Sequence, residues 1–574
     1  MLADLKACQS RIALAHLMGV EAKELSFVLY KMNEKLKYDQ FCMSKKSGGT
    51  RLILKPHPRL KWIQRRLLDV LYECENDVVA ASKKNSNLDF GFKRGVNIYD
   101  NAEIHRKKRY VLNMDIEDFF GQFNFGRVRG FFLKNHEFAL HKDVATAIAQ
   151  IACFEDTLPQ GAPTSPHIAN LIAQFFDRRM CRFLQSRRCH YSRYADDITI
   201  STNLREFPSD VAAPDSSTPQ GWALSPQIID IFARADFPIK ASKTRMSLAS
   251  NRQMVTGLVV NSHPNVSREY YLATRSMCHA LFKTGKCTIP DFTPSFADNC
   301  PPEKEGDEKP SKSNMKILEG RLSHIHHIRS KSDTRTIQDK QDNPTQFWRT
   351  LQLFYIYKYF FGNDKPTILT EGPSDIFYIR AALLNSKSTN LKSLRDDKQS
   401  PYKIIPSFFN FDTNAAHVLG LTGGAGNIKR FLYLFNKNKD CFNHTLRKNP
   451  VVILIDNDSG GKDVLSQVNG IYKTGVSTDD TSIVHQITSG LILVKTPHVG
   501  TQKLTSIEDL LPANVKNVKL NGKTFSTAKK LDTSKHFGKV ALSHYVRDNA
   551  AGINFDGLDP LLEGLNEAIK NCKI

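Results

Sequence analysis

Two groups of closely spaced carboxylates in this chain are suited to metal-dependent chemistry. Asp196 and Asp197 are adjacent in CHYSRYADDITIS, and the flanking residues alternate apolar and polar, with Tyr191 and Arg193 before and Ile198, Thr199, Ile200 and Ser201 after. That period of two predicts short strands joined by a tight turn. Adjacent aspartates repel, so folding them together calls for a cation, and oxygen ligands suit a hard one such as magnesium. A solvated Asp-Asp turn is the plain alternative, because Asp is a good turn residue. Context therefore has to decide. The run RYVLNMDI reads as a buried strand ending on Asp115, a carboxylate that must be paired or metal-bound to be tolerated there. In the second half, Glu371 follows one strand pattern, Asp375 opens the next helix, and Asp456 and Asp458 stand at i and i+2 where another strand finishes.

The elements that must carry these acids are spread over 574 residues, too many for one core, so two or more domains are expected. Lys plus Arg number 80 against 58 Asp plus Glu, and a net charge of +22 points to a polyanionic partner. No apolar run reaches the roughly 18 residues needed to span a bilayer. The N-terminus lacks a charged-then-apolar leader, so no membrane partner and a cytoplasmic, bacterial location are expected. The 11 cysteines are scattered without a CxxC pair, which reads as reduced thiols with neither a disulfide framework nor a zinc ribbon.

Residues 1–40 carry helical spacing. SKKSGGTRLILKP then predicts a hairpin whose Lys45, Lys46 and Arg51 would clamp a triphosphate or stand as solvated surface charge. A long amphipathic helix, LKWIQRRLLDVLYE, follows as scaffold. TLPQGAPTSPHIANLIAQFFDRRM places a Pro- and Gly-rich loop before a helix opened by Ser165-Pro166, and the small residues around Gln160 let a flat ligand approach the backbone.

In order along the chain, Asp115 in DIxDFF, LPQG at 158–161, the YADD turn, FPIKASKTR at 237–245 and VTGLVVN at 255–261 resemble reverse-transcriptase motifs A to E. NAEIH at 101–105 and Val255-Thr256-Gly257 resemble the NAxxH and VTG elements of retron-type enzymes. The resemblance implies a right-hand α+β polymerase over 1–335: fingers and palm at 1–265, and a thumb at 266–335 with a flexible insert at 290–314. It implies two magnesium ions on Asp115, Asp196 and Asp197. Phe120 would be the gate against a ribose 2′-hydroxyl, Gln160 would touch the incoming deoxynucleoside triphosphate, and Lys45, Lys46, Arg51 and Lys243 would hold its phosphates. Asn101, His105, Val255, Thr256 and Gly257 would help bind RNA. Family members copy a dedicated structured non-coding RNA from an internal 2′-hydroxyl into branched RNA-linked DNA (msDNA). With no RNase H region apparent, template removal would fall to a host RNase H.

After a linker and connecting helix at 336–364, strands and helices alternate: PTILTEG, SDIFYIRAALL, YKIIPSFFNF, GGAGNIKRFLYLF, VVILIDNDSG, GKDVLSQV and LILVKTP. Such alternation predicts an α/β domain at 365–574 with a mainly parallel sheet and functional residues at its strands' carboxyl ends. EGxxD followed by DxD, with Gly423-Gly424 between, resembles a Toprim domain of the OLD-like kind. SIEDLL adds Glu508 and Asp509 as further ligand candidates. The resemblance implies one or two magnesium ions on Glu371, Asp375, Asp456, Asp458 and Glu508, and catalysis on RNA, tRNA included, or DNA by Glu371, Asp456 and Asp458. Lys535 and Lys539 would face the phosphate.

The expectation for the whole chain is antiphage defence by abortive infection, with the nuclease held inactive by the branched product, in a form open to homo-oligomerisation. The alternatives are a second half that only binds nucleic acid or mediates oligomerisation, and a mobile-element reverse transcriptase–endonuclease.

Overall fold

The computed structural model describes residues 1–44, 50–81, 88–218, 220–287, 311–388, 390–399, 401–442, 449–528 and 530–572. Lys45, Lys46 and most of the insert expected at 290–314 lie outside them; a helix begins at Ser311. The chain divides into two compact units. Residues 1–271 and 325–332 belong to the first, and residues 333–572 with the described part of 272–324 belong to the second, so the segment 266–335 is shared.

In the first unit the predicted hairpin forms from β1 (Tyr38–Ser44) and β2 (Thr50–Pro56), paired antiparallel from Tyr38–Pro56 to Ser44–Thr50. The long helix α1 (Pro58–Ala81) buries Leu60, Ile63, Leu67, Val70, Leu71 and Cys74, the stripe its sequence spacing predicts. The central sheet is antiparallel, built from β3 (Tyr110–Asp115), β4 (His190–Tyr194), β5 (Asp197–Thr202) and β6 (Arg245–Leu248) in the order β4-β5-β3-β6. Val111, Leu112 and Met114 from β3 and Ile198 and Ile200 from β5 are buried. Behind them runs α3 (Ser165–Gln185), with Pro166 at its start and Ile168, Ile172, Phe176 and Met180 turned inward. Between α1 and β3 lies the short helix α2 (Ile98–Ile104), begun by an Asn97–Asp100 capping box.

The second unit holds a five-stranded sheet, ordered β8-β7-β9-β11-β10, from β7 (Thr367–Leu369), β8 (Ser407–Phe408), β9 (Val451–Ile455), β10 (Val484–Thr488) and β11 (Leu491–Lys495). The pairs β7–β8, β7–β9 and β9–β11 are parallel, and β10 adds an antiparallel edge. Every residue of β9 and β11 is buried, as expected of strands covered on both faces. Between strands stand α4 (Pro373–Asn385), α5 (Ala425–Asn438) and α6 (Ser459–Tyr472), close to the helices read from the sequence. The edge strand β10 carries no strong period and was not expected.

Candidate active site

Strand β3 delivers Asp115, and the β4–β5 turn delivers Asp196 and Asp197. Antiparallel register sets Asp115 directly opposite Asp197 and Tyr194 opposite Asp197. The turn begins with Ala195 in the left-handed region at φ 56°, a conformation that costs a non-glycine residue roughly 1–2 kcal/mol. Something outside the turn has to offset that cost. Arg193, 0% exposed, donates from Nη1 to the Ala195 carbonyl oxygen at 3.1 Å while Nε and Nη2 grip both oxygens of buried Asp177 at 2.8 Å.

Three carboxylates in one place perturb each other. Desolvation, then the charge of Asp115, raises the Asp196 pKa. Desolvation, then Asp196 and Asp115, pushes Asp197 up to about 6. Lys243 donates from Nζ to Asp115 Oδ2. Burial opposes the Lys243 charge, but the bond to Asp115 and the neighbouring acids outweigh it and its pKa rises.

Asp115 and Asp196 edge a cleft of about 830 Å³ that Arg51, Phe120, Gln160 and Lys243 also line. The loop bearing Gln160 lies on β2, where the Leu54 amide donates to the Gln160 carbonyl at 2.8 Å. Gly161 makes that approach possible: its φ is +126°, and a Cβ would stand 2.5 Å from the Leu54 oxygen. Phe120 sits on a 3₁₀ turn (Phe119–Gln122), its ring 5.5 Å from Phe119 and 6.4 Å from Phe92. Phe119 and Phe123 are core residues.

The residues expected to bind RNA are placed otherwise. His105 is wholly buried, with Nδ1 2.7 Å from Ser201 Oγ and Nε2 2.7 Å from Ser192 Oγ, and burial lowers its pKa to about 3. It joins α2 to the sheet as a neutral ring and has no surface to offer RNA. Asn101 and Val255 are buried as well. Asn101 Nδ2 lies 3.5 Å from Thr256 Oγ1, so the NAEIH and VTG elements pack on each other. Only Thr256, in part, and Gly257 reach the surface.

In the second unit the acids gather where parallel strands end. After β7, Glu371 accepts from the Ala425 amide at 3.2 Å and the Asp456 amide at 3.4 Å, and the Gly424 amide donates to its carbonyl at 2.8 Å. Asp456, at the end of β9, accepts from the Ile507 amide at 2.9 Å. Lys539 spans Glu508 at 2.9 Å and Asp456 at 3.6 Å. Desolvation leads the upward shifts of Glu371, of Asp375 to about 7 and of Asp456 to about 8. Asp375 accepts from the Gly372 amide at 2.8 Å, and Asp458 caps α6 by accepting from the Gly461 amide at 2.9 Å. Asp509 is taken up in a capping box with Ser506.

Among the described residues, no three acid, imidazole or thiol groups are gathered closely enough to hold a metal ion. The expected ligand sets are thus not pre-closed: Lys243 takes a place on Asp115, and Lys539 takes places on Glu508 and Asp456. The donor chemistry still fits a hard cation, since both sets are oxygen-only, and burial together with neighbouring carboxylates raises the pKa values of Asp196 and Asp197 in one set and of Glu371, Asp375 and Asp456 in the other. Sequence reasoning missed Arg193 and Asp177. The available signal was an arginine on the inward phase of a strand, which demands a buried partner.

A family model described as reverse transcriptase (RNA-dependent DNA polymerase) matches residues 43–213. The retron Ec86 reverse transcriptase of Escherichia coli is 29% identical over 46% of this chain and 75% of its own length. The retron Ec73 reverse transcriptase, also of Escherichia coli, is 30% identical over 38% of this chain and 67% of its own. Among solved structures, Candida albicans telomerase with a TWJ fragment of telomeric RNA is similar over 57% of this chain and 62% of that one, at 10% identity and a TM-score of 0.30. The two retron relatives leave more than half of this chain unmatched. With Asp115 of β3 and Asp196 of the β4–β5 turn in one cleft, and with the retron Ec73 enzyme 30% identical over 67% of its length, the chain belongs to the retron reverse transcriptases.

Proposed function

We propose that the first unit copies a cognate structured RNA into branched RNA-linked DNA at the cleft formed by Asp115, Asp196 and Asp197. The convergence of Arg51, Phe120, Gln160 and Lys243 on Asp115 and Asp196, with Asp197 paired in register opposite Asp115, carries the reading. Asp115, Asp196 and Asp197 would hold two magnesium ions, which when bound would acidify the primer hydroxyl and neutralise the triphosphate and leaving pyrophosphate. Arg51 and Lys243 then orient the phosphates of a deoxynucleoside triphosphate, Gln160 borders its base or sugar, and the Phe120 ring excludes a 2′-hydroxyl. Thr256 and Gly257 offer surface to the RNA, while Asn101, His105 and Val255 support them from beneath. A host RNase H would remove the copied template.

For the second unit we propose a Toprim-like nuclease, with Glu371, Asp456 and Glu508 as the central acids and Asp375 and Asp458 flanking them. The support is the position of Glu371 and Asp456 at the carboxyl ends of parallel strands, where α/β sheets place their sites, with Glu508 joined to Asp456 through Lys539. One or two magnesium ions would supply charge for phosphodiester cleavage of RNA or DNA. In the cell this unit would be restrained by the branched product and released on phage infection, giving abortive defence. Lys539 favours a second reading: acids already neutralised by a lysine need no metal, and the unit would then be a binding or oligomerisation module.

Sequencing the nucleic acid that copurifies with wild type, Asp196→Asn and Asp456→Ala tests these readings. Loss of RNA-linked DNA only in Asp196→Asn supports the polymerase, and its persistence there would refute it. Growth arrest and nucleic-acid cleavage lost in Asp456→Ala support the nuclease; arrest and cleavage unchanged would leave the binding module.

A further inference from the structure

We infer that Arg193 is a positioning residue for polymerisation, a buried clamp that holds the peptide between Ala195 and Asp196 in the orientation the catalytic cleft requires. The inference rests on the polymerase reading of that cleft.

Four contacts define the clamp. Arg193 Nε donates to Asp177 Oδ1 and Nη2 to Asp177 Oδ2, both at 2.8 Å, a two-pronged pairing that fixes the guanidinium plane. Nη1 donates to Asn170 Oδ1 at 3.0 Å and to the Ala195 carbonyl at 3.1 Å. Asp177 and Asn170 both lie on α3, and Tyr191 from β4 adds a hydroxyl bond to Asp177 Oδ1 at 2.6 Å. Arg193 and Asp177 are 0% and 1% exposed, so neither meets solvent.

The clamp is tied to the turn from the backbone side too. The Arg193 amide donates to Leu88 and its carbonyl accepts from Phe90, which lays the segment ending at Gly91 alongside β4. Asn170 Nδ2 donates to the Gly91 carbonyl at 2.6 Å. A Cβ on Gly91 would stand 2.5 Å from the Ala195 nitrogen, so the turn is enclosed by α3 through the guanidinium and by Gly91 from its flank. Because a trans peptide points its carbonyl and amide in opposite directions, fixing the Ala195 oxygen on Arg193 turns the Asp196 amide away from α3. The Asp196 side chain leaves the backbone from that peptide and lines the cleft.

Burying an ion pair is a poor way to gain stability, and well-packed apolar residues often replace one without loss. What an apolar pair cannot do is hold a left-handed Ala195 by its carbonyl. A lysine keeps the charge on Asp177, but its single ammonium cannot span Asp177, Asn170 and Ala195 as the planar fork does.

The test uses the purified full chain extending oligo(dT) on poly(rA), as wild type, Arg193→Lys and Arg193→Met/Asp177→Met, each with and without Ala195→Gly. The expected result for folded protein is a kcat reduced by about 100-fold with the KM for dTTP within about threefold, because the acid is misplaced while the nucleotide pocket remains. Ala195→Gly should restore at least about fivefold of kcat, since glycine takes the left-handed conformation unaided. A folded double variant within about twofold of wild type, or a loss that Ala195→Gly leaves untouched, overturns the clamp. If these variants do not fold, Asn170→Ser spares the ion pair but loosens Nη1. An unchanged kcat there also overturns the proposal, whereas a fall at unchanged melting temperature supports it. An inert wild-type chain would remove the polymerase reading itself, and the clamp with it.

Discussion

Asp115 and Asp197 face each other across neighbouring antiparallel strands, paired in register at the end where β3 finishes and β5 begins. The pairing brings like charges together, and among the described residues Lys243 is the cation that ion-pairs with Asp115, so the cleft suits an added cation.

That crowding makes stability depend on pH. Desolvation and the neighbouring carboxylates push Asp197 up to about 6 in the folded chain, above the roughly 3.9 of an unfolded aspartate. The folded state therefore holds the proton more tightly, and this group's contribution is lost as pH rises from about 4 through 6. Asp197→Asn should raise the metal-free melting temperature at pH 7.5, with the difference closing toward pH 4. Because Asp197 is solvent-exposed, screening holds the gain to about 1 kcal/mol or less. Polymerisation by this variant should be abolished, which primer extension in parallel would check.

Lys243 competes with a metal for Asp115 and serves the nucleotide phosphates. Lys243→Met should tighten manganese binding by about threefold, the effect of removing a half-exposed lysine from a buried carboxylate. The same change should raise the KM for dTTP by about tenfold. Calorimetric manganese titration and steady-state kinetics read the two effects separately, and both moving in one direction would contradict the dual role.

Phe120 stands on the cleft wall with its ring against Phe119. Phe120→Ala should raise incorporation of ribonucleotides relative to deoxynucleotides by at least about tenfold, with little change for deoxynucleotides. Competitive extension on one template measures the ratio. No change would remove Phe120 from the sugar gate.

His105 is held neutral by two serine hydroxyls. His105→Ala should destabilise the first unit by about 3 kcal/mol through the cavity and two orphaned hydroxyls. With its folded pKa lowered to about 3, the wild-type contribution is present above about 6.5 and lost as pH falls below it. RNA affinity measured well below the melting temperature should stay within about twofold of wild type. A selective loss of RNA binding by a stable variant would restore a direct role in recognition.

Lys539→Ala should leave buried Glu508 and Asp456 without their cation. A loss of about 2 kcal/mol is expected in EDTA, much of it recovered by millimolar manganese if these acids bind metal. Melting curves with and without the ion decide, and failure to recover would favour the non-catalytic reading of the second unit.

The sequence by itself determined which residues stand near strand ends and turns. Period-two alternation around Ala195 and the buried-strand pattern ending on Asp115 follow from local side-chain direction, and the structure has strands at both places. The alternating strands and helices after 365 likewise foretold a parallel sheet with its acids at one end. Tertiary structure alone decided which polar residues face inward. NAEIH and VTG look like surface recognition elements when read as strings, yet His105 fits between two serines of the sheet and Asn101 meets Thr256. Lys243 and Lys539 reach their acids across 128 residues in the first case and 31 or more in the second, separations that no local periodicity encodes. Arg193 shows the reason most plainly. A charged residue is buried only when its partner is already in place, and that partner, Asp177, lies on a helix whose position is set by packing.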